Sequence, residues 1–413
     1  MQGYPDDGGA TDAPDASAAA TAILADANFP DPQSAQSPVA PSSQPESGTN
    51  AKQPKPGVRG GGPDRPETGE RDRVYGALDL GTNNCRLLLA KPSRRGLRVV
   101  DAFSRIIRLG EGIGQTGRLS DAAMARTLEA LKVCAGKLER ARVRRSRLVA
   151  TEACRIATNG AQFLADVRAK LGLDIEVLTP EVEARLAVSG SAALIDPNCD
   201  YVLVFDIGGG SSELILLDLA RRNRRWERRF ADRVDAQNCM VAWTSLPIGV
   251  VTLAERFGGR NVTTADFEAM VAETQARLRP FEAAHALTAR LAGKRVHMLG
   301  TSGTVTTVAG IHLGLPRYDR SRVDGCWLNV VDVRAVTNGL MACSYEERVA
   351  EPCIGRDRAD LVLAGCAILE AVLRLWPCER LRVADRGLRE CILTTLMNED
   401  GVLRTGRRHR TGR

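Results

Sequence analysis

Apolar and polar positions alternate between two periods from residue 74 onward. VYGALDL (74–80), RLLLA (86–90) and LRVVDAF (97–103) are short apolar runs separated by turns containing Gly and Asn, which predicts an antiparallel meander of three strands. At 121–142 the period changes. Met124, Leu128, Leu131, Cys134 and Leu138 return every three or four residues, as one buried face of a helix requires. SRLVATEA then reads as a strand, 160–171 as a helix and IEVL as a strand. Residues 180–195 read as a helix with Pro180 at its start, where a missing N–H does no harm.

The opening then recurs. YVLVFDIGGGSSELILLD (201–218) has the layout of VYGALDLGTNNCRLLLA: an apolar strand ending in Asp, a turn of small residues, and a second apolar strand. A third strand is expected at 241–246. Helices follow at 264–278, 331–341, 358–376 and 387–397, with short strands at 296–299 and 381–383. Residues 361–376 are apolar nearly all round, the mark of a buried helix. Such duplication predicts an α/β fold of two similar domains facing each other across a cleft. The expected organisation is a first domain over 73–187 and a second over 188–398. Residues 1–72 are rich in Ala, Pro, Ser, Gly and Asp and too poor in large apolar residues to offset the entropy of ordering, so a disordered tail is expected there. A basic flexible tail is expected over 399–413.

Composition narrows the classes. The chain has 413 residues, 44% hydrophobic and 26% charged, which suits a soluble protein of two domains. No apolar run reaches the roughly 18 residues of a membrane span, and the acidic start, with Asp6 and Asp7, lacks the pattern of a secretory signal. The 11 cysteines are scattered without a Cys-x-x-Cys pair and there are only 4 histidines, so neither a disulfide framework nor a zinc site is expected, and the location expected is the cytoplasm. A formal charge of +7 suits an anionic ligand. Part of it lies in the Arg-rich end (404–413) and in the basic loop from Arg221 to Arg229, which reads best as a solvated hairpin tip.

Three turns carry candidate chemistry. After Asp79, Gly81 permits a sharp reversal, and the N–H groups and side chains of Thr82, Asn83 and Asn84 can then point into one concavity that suits a phosphate oxygen. Arg86, on the next strand, can face either way. After Asp206, Gly208, Gly209 and Gly210 exceed what a plain hairpin needs, as though backbone must lie close to a ligand, and Ser211 and Ser212 follow. Asp206 and Glu213 offer the hard oxygen ligands that Mg²⁺ requires. Gly300, Thr301, Ser302 and Gly303 join a strand to a helix whose N-terminus favours an anion.

These turns, in this order, resemble the actin-like ATPase superfamily of sugar kinases, heat-shock chaperone ATPases and actin. Within it, DLGTNNCRLLLA, TEACRIATNGAQF (151–163), EVEARLA (181–187), VFDIGGGSSEL, LPIGVV (246–251), LGTSGT and DRGLREC (385–391) resemble the exopolyphosphatase/guanosine pentaphosphate phosphatase family, collinearly over about 74–397. The resemblance implies two RNase H-like domains with an interdomain cleft. It implies Glu183 as the catalytic carboxylate that readies water, Arg155 as the phosphate-contacting arginine, and Asp79, Asp206 and Glu213 as acidic positions for Mg²⁺. It also implies a substrate-facing segment around Arg105 and Arg108, and a homodimer. Asn84 stands where the family commonly has Ser, and Val182 replaces the first Glu of the usual Glu-Glu-Ala. The chain lacks the C-terminal His-Asp domain of longer members, so the short form is expected. The activity implied is release of terminal phosphate from inorganic polyphosphate or of the 5′-γ-phosphate of pppGpp, with neither membrane nor nucleic acid as a partner. The alternatives are an ATP-dependent small-molecule kinase of the same superfamily and a non-catalytic polyphosphate or alarmone-binding regulator.

Overall fold

In the first of two sheets, β1 (Tyr75–Leu80), β2 (Asn84–Ser93) and β3 (Gly96–Ile106) form the expected meander, and β4 (Arg145–Ala150) and β5 (Ile175–Val177) add in parallel beside β1. In the second, β6 (Tyr201–Ile207), β7 (Ser212–Asp218) and β8 (Met240–Leu246) form the meander, and β9 (Val296–Thr301) and β11 (Arg380–Ala384) add in parallel. The orders are β3-β2-β1-β4-β5 and β8-β7-β6-β9-β11-β10, where β10 (Trp327–Asn329) is an extra antiparallel edge strand. One plan is thus built twice, and it is the RNase H-like plan of the actin-like ATPases. The computed structural model describes residues 73–93, 96–222 and 233–403. The expectations for 1–72, for most of the basic loop at 221–229 and for the Arg-rich end beyond 403 lie outside these residues.

The strands follow their burial. Strand β1, central between antiparallel β2 and parallel β4, is covered on both faces and shows no alternation. Strand β3, at an edge, is mostly exposed. Some boundaries depart from the expected ones. Strand β4 stops at Ala150, because the Thr151 N–H bonds back to the Leu80 carbonyl (3.1 Å) and the chain turns into a short helix, Glu152–Ile156. The helix expected to end at 278 runs on as Thr264–His285 through Pro280, held by buried Leu278 and Phe281 on either side of the proline. The long apolar helix begins later than expected, as Val362–Leu375, with nearly every residue buried. Helices Val250–Phe257 and Tyr345–Ala350 had no counterpart in the periodicity, being too short to show one.

One helix belongs to both cores. Pro180–Ser191 starts with Pro180, and the Thr179 side chain caps it by accepting from the Val182 N–H (3.3 Å). Its Leu186 packs with Tyr75, Leu88 and Val149 of the first sheet. Its Ala184 and Val188 pack with Val202, Val204 and Leu217 of the second. The helix is continuous across 187 and 188. The last helix, Leu388–Glu399, returns to the first sheet, where Cys391, Ile392, Leu393, Leu396 and Met397 complete the cluster around Tyr75. Beyond it, Val402 and Leu403 still pack there, and Asp400 accepts from Tyr75 Oη (2.7 Å) and Arg145 Nη1 (2.7 Å). No helix among the described residues is long and apolar enough to cross a membrane.

Because the last helix closes a core that begins at the first strand, truncating it should loosen the whole fold. Leu393 is fully buried. Leu393→Ala is expected to lower unfolding stability by about 2–5 kcal/mol in urea titration, and a change below about 1 kcal/mol would show that the helix is only peripheral.

Candidate active site

The two Gly-rich turns meet. A Cβ on Gly209 would stand 3.0 Å from Thr82 Cβ and 3.1 Å from the Asn83 nitrogen, and one on Gly210 would stand 2.7 Å from Thr82 Oγ1. The glycines of the second turn are therefore required by the first turn pressing against them, a reason that the sequence could not supply. The LPIGVV segment backs this turn. A Cβ on Gly249 would lie 2.3 Å from the Gly209 carbonyl carbon, and the Val250 and Val251 N–H groups bond to the carbonyls of Gly208 and Gly209. The first turn is held by Gly81 N–H to Asn84 O (2.8 Å), Ile107 N–H to Asn83 O (2.8 Å) and Gly110 N–H to Thr82 O (2.9 Å). The N–H groups of Thr82, Asn83, Gly209, Gly210 and Ser211 make no hydrogen bond with any described residue. Two runs of such groups make a concavity that favours an anion. The serine hydroxyls are otherwise committed: Ser211 Oγ donates to Glu213 (2.8 Å) and Ser212 Oγ to the Ile248 carbonyl (2.7 Å).

The third turn is strained and unsatisfied. Ser302 has φ +111°, a region an L side chain rarely adopts, and it makes no cap hydrogen bond to the Gly303–His312 helix. The Ser302 hydroxyl is buried without a partner among the described residues, and the Thr301 hydroxyl is buried beside Asp206, whose carboxyl it helps to hold down. Thr301 is the register partner of Asp206. Strain with an orphaned Ser302 hydroxyl at a helix N-terminus suits a bound anion.

Arg155 and Glu183 come together. The short helix after β4 carries Arg155, and its Nη1 donates to Glu183 Oε2 (3.2 Å) and to the Leu178 carbonyl (2.7 Å). Its Nε donates to Glu152 Oε2 (3.0 Å), and its Nη2 donates to the same oxygen. Glu183 lies in the first turn of the shared helix, so both domains fix it. Val182, the departure from the family pattern, packs partly buried against the first-sheet cluster. Asn84, the other departure, has a buried Oδ1 without a partner, as does Asn83.

Four carboxylates repel one another here. Burial, then the Glu213 charge, pushes Glu183 well above the usual carboxylate range against the pull of Arg155, and Asp206 adds to the rise. Burial and Asp206 push Glu213 up to about 7, although the Ser245 and Ser211 hydroxyls donate to it. Burial also raises Asp79 and Asp206, and Arg86 opposes both shifts. Such a group is short of positive charge and offers only hard oxygens, which suits Mg²⁺. Among the described residues, no three metal-ligating side chains converge closely enough to enclose an ion by themselves. Mg²⁺ commonly keeps several waters and takes only one or two carboxylates beside substrate phosphates, and Asp206 and Glu213 fit that mode.

Three arginines in the same space carried no assigned role in the sequence. Arg86 sits opposite Asp79 in the β1–β2 register and so shares its face. Arg358 and Arg389 are each pushed below the usual arginine range by burial, with Arg86 adding to both falls. None of the three guanidiniums makes a hydrogen bond or ion pair with a described residue. Alternation along β2 could have marked Arg86, whereas nothing in the sequence distinguished Arg358 or Arg389. Of the segment expected to face substrate, Arg108 is engaged elsewhere. At φ +47° its Nη1 and Nη2 donate to the two oxygens of Asp360 (2.8 Å each), and Gly112 N–H bonds to Glu255 (2.9 Å). These two contacts tie the domains together beside a cavity of about 410 Å³ that Asn83, Arg108, Glu255, Arg260 and Asp360 help to line. Arg105 is exposed on β3, with its guanidinium over the Phe103 ring.

Two sheets of one strand order, each with a small-residue turn after its first strand, define a duplicated RNase H-like α/β protein. The Ppx/GppA phosphatase family matches this chain over residues 89–400, and the chain belongs to that family. The crystal structure of the Aquifex aeolicus family member is similar over 79% of this chain and 98% of its own, at 27% identity and a TM-score of 0.63. An exopolyphosphatase-like protein is similar over 78% of this chain and 97% of its own, at 27% identity and 0.67. An exopolyphosphatase from Cytophaga hutchinsonii shares the fold over 79% and 98%, at 24% identity and 0.68.

The crowded carboxylates set a pH dependence. The Glu213 carboxyl rises from 4.5 to about 7 on folding, so its charge opposes folding. That opposition is complete above pH 7 and fades as pH falls toward 4.5. Glu213→Gln is expected to raise the melting temperature at pH 8, measured in a chelating buffer, and the gain should shrink toward pH 5. A gain that does not vary with pH would show that Glu213 titrates normally.

Proposed function

We propose that the protein hydrolyses the terminal phosphoanhydride of a polyanion, either inorganic polyphosphate or the 5′-triphosphate of pppGpp, in the cleft between its two sheets. The observation that carries this reading is the placement of Glu183. It is bonded to Arg155 of the first domain and lies close enough to Glu213 and Asp206 of the second for their charges to raise its proton affinity. A carboxylate of raised proton affinity is a competent base for water near neutral pH. Family membership supports the same chemistry.

In this reading the terminal phosphoryl group is held by the free N–H groups of the two turns and by the hydroxyls of Thr301 and Ser302. Since the turns touch in the structure, the domains part to admit it. Arg86, Arg358 and Arg389 face the remaining phosphate charge, and Arg155 faces the reacting group. Asp206 and Glu213 would hold Mg²⁺, which would supply further charge neutralisation. Glu183 takes a proton from water as the oxygen bonds to phosphorus. The bond to the bridging oxygen breaks, so orthophosphate forms and the shortened phosphate chain leaves. Little covalent work falls to the protein, because phosphoryl transfer depends chiefly on position and charge.

The test is phosphate release with Mg²⁺ from long-chain polyphosphate, pppGpp and ATP at equal concentrations of terminal phosphate. Release from either of the first two supports hydrolysis and identifies the preferred substrate; release from none removes the reading. Glu183→Ala is expected to slow turnover by about a hundred- to ten-thousand-fold while substrate binding persists. Turnover at the native rate in that variant would take the base role from Glu183.

A further inference from the structure

Glu152 is an acidic residue of this cleft that the hydrolytic reading leaves without a task. Its side chain is only 9% exposed. It precedes Arg155 by three residues on the short Glu152–Ile156 helix, and one of its oxygens, Oε2, accepts from both Nε and Nη2 of that arginine. Its Cγ also lies 3.1 Å from where a Cβ on Gly210 would stand. One side chain of the first domain therefore grips the arginine and touches the phosphate turn of the second domain.

A guanidinium has five N–H donors in a fixed plane. In Arg155, Nε and one Nη2 hydrogen are committed to Glu152, and the two Nη1 hydrogens to Leu178 O and Glu183. One Nη2 hydrogen is left. Where it points is set by the contacts along the Nε edge, because the arginine stem by itself rotates freely. The Leu178 carbonyl holds one corner of the plane, and Glu152 holds its edge.

We propose that Glu152 is a positioning residue, which fixes the plane of Arg155 so that Nη1 stays on Glu183 and the free Nη2 hydrogen meets the phosphoryl group at the second turn. This rests on the hydrolytic reading above. Glu152 acts through Arg155 and need not touch the substrate. Since it also abuts Gly210, it aligns the arginine with the second domain whenever the domains close.

The experiment compares wild type, Glu152→Ala, Glu152→Gln, Arg155→Ala and the double Glu152→Ala, Arg155→Ala variant of the full chain in phosphate release from polyphosphate and pppGpp. Glu152→Ala is expected to lower kcat by about ten- to a hundred-fold, with KM moving by less than about three-fold. Glu152→Gln keeps an acceptor and should recover much of the loss. The double variant should be no slower than Arg155→Ala alone. An unchanged kcat, a loss confined to KM, or additive losses in the double variant would overturn the proposal. So would faster turnover with lower KM, which would make Glu152 a carboxylate that holds the place of phosphate. If Glu152→Ala does not fold, Glu152→Asp carries the test, and its shortened reach should leave it slower than Glu152→Gln. Wild-type protein inactive on both substrates would instead defeat the hydrolytic reading. The positioning role then stands or falls on whether the melting temperatures of the same variants show Glu152 and Arg155 coupled.

Discussion

Where the two domains meet, the first turn lies against glycines of the second. Thr82 and Asn83 press on Gly209 and Gly210, and Gly249 presses on Gly209 from behind. A Cβ at Gly209, Gly210 or Gly249 would crowd its neighbours there, and the N–H groups of Thr82, Asn83, Gly209, Gly210 and Ser211 make no hydrogen bond with a described residue. The contact also sets the distance between the sheets, and with it the place of every group that faces the cleft.

The helix Pro180–Ser191 complements that contact. It buries Leu186 in one core and Ala184 and Val188 in the other, so Glu183, one turn from its start, keeps its place relative to both sheets. Arg155 reaches it because β4 and β5 are parallel neighbours, which puts the segments after them side by side. The last helix returns to cover the first sheet.

Charge is distributed unevenly across this frame. Carboxylates from both sheets repel one another, and guanidiniums of Arg86, Arg358 and Arg389 stand unpaired beside them. In a folded protein such an arrangement opposes stability, since each charge loses water without gaining a full partner. A substrate that brings negative oxygens, accompanied by a divalent cation, relieves both imbalances together. This is the physical sense of the hydrolysis proposed above. Arg108, by contrast, satisfies its charge on Asp360 and serves to hold the domains together.

Much of this was legible in the sequence, because it rests on local repetition. Apolar runs and turn residues set the strands of both meanders, and their recurrence after Asp79 and Asp206 announced a duplicated fold. The three small-residue turns and the family motifs followed from residues adjacent in the chain. What only the tertiary structure decided involves residues that the chain keeps far apart. The glycines of the second turn make room for the first turn. Arg358 and Arg389 share a space with Arg86, Arg108 pairs with Asp360, and Glu152 reaches Gly210. Periodicity reports which face of an element is buried, but not which distant element buries it. The partners of a charged side chain are therefore fixed only when the two sheets close on each other.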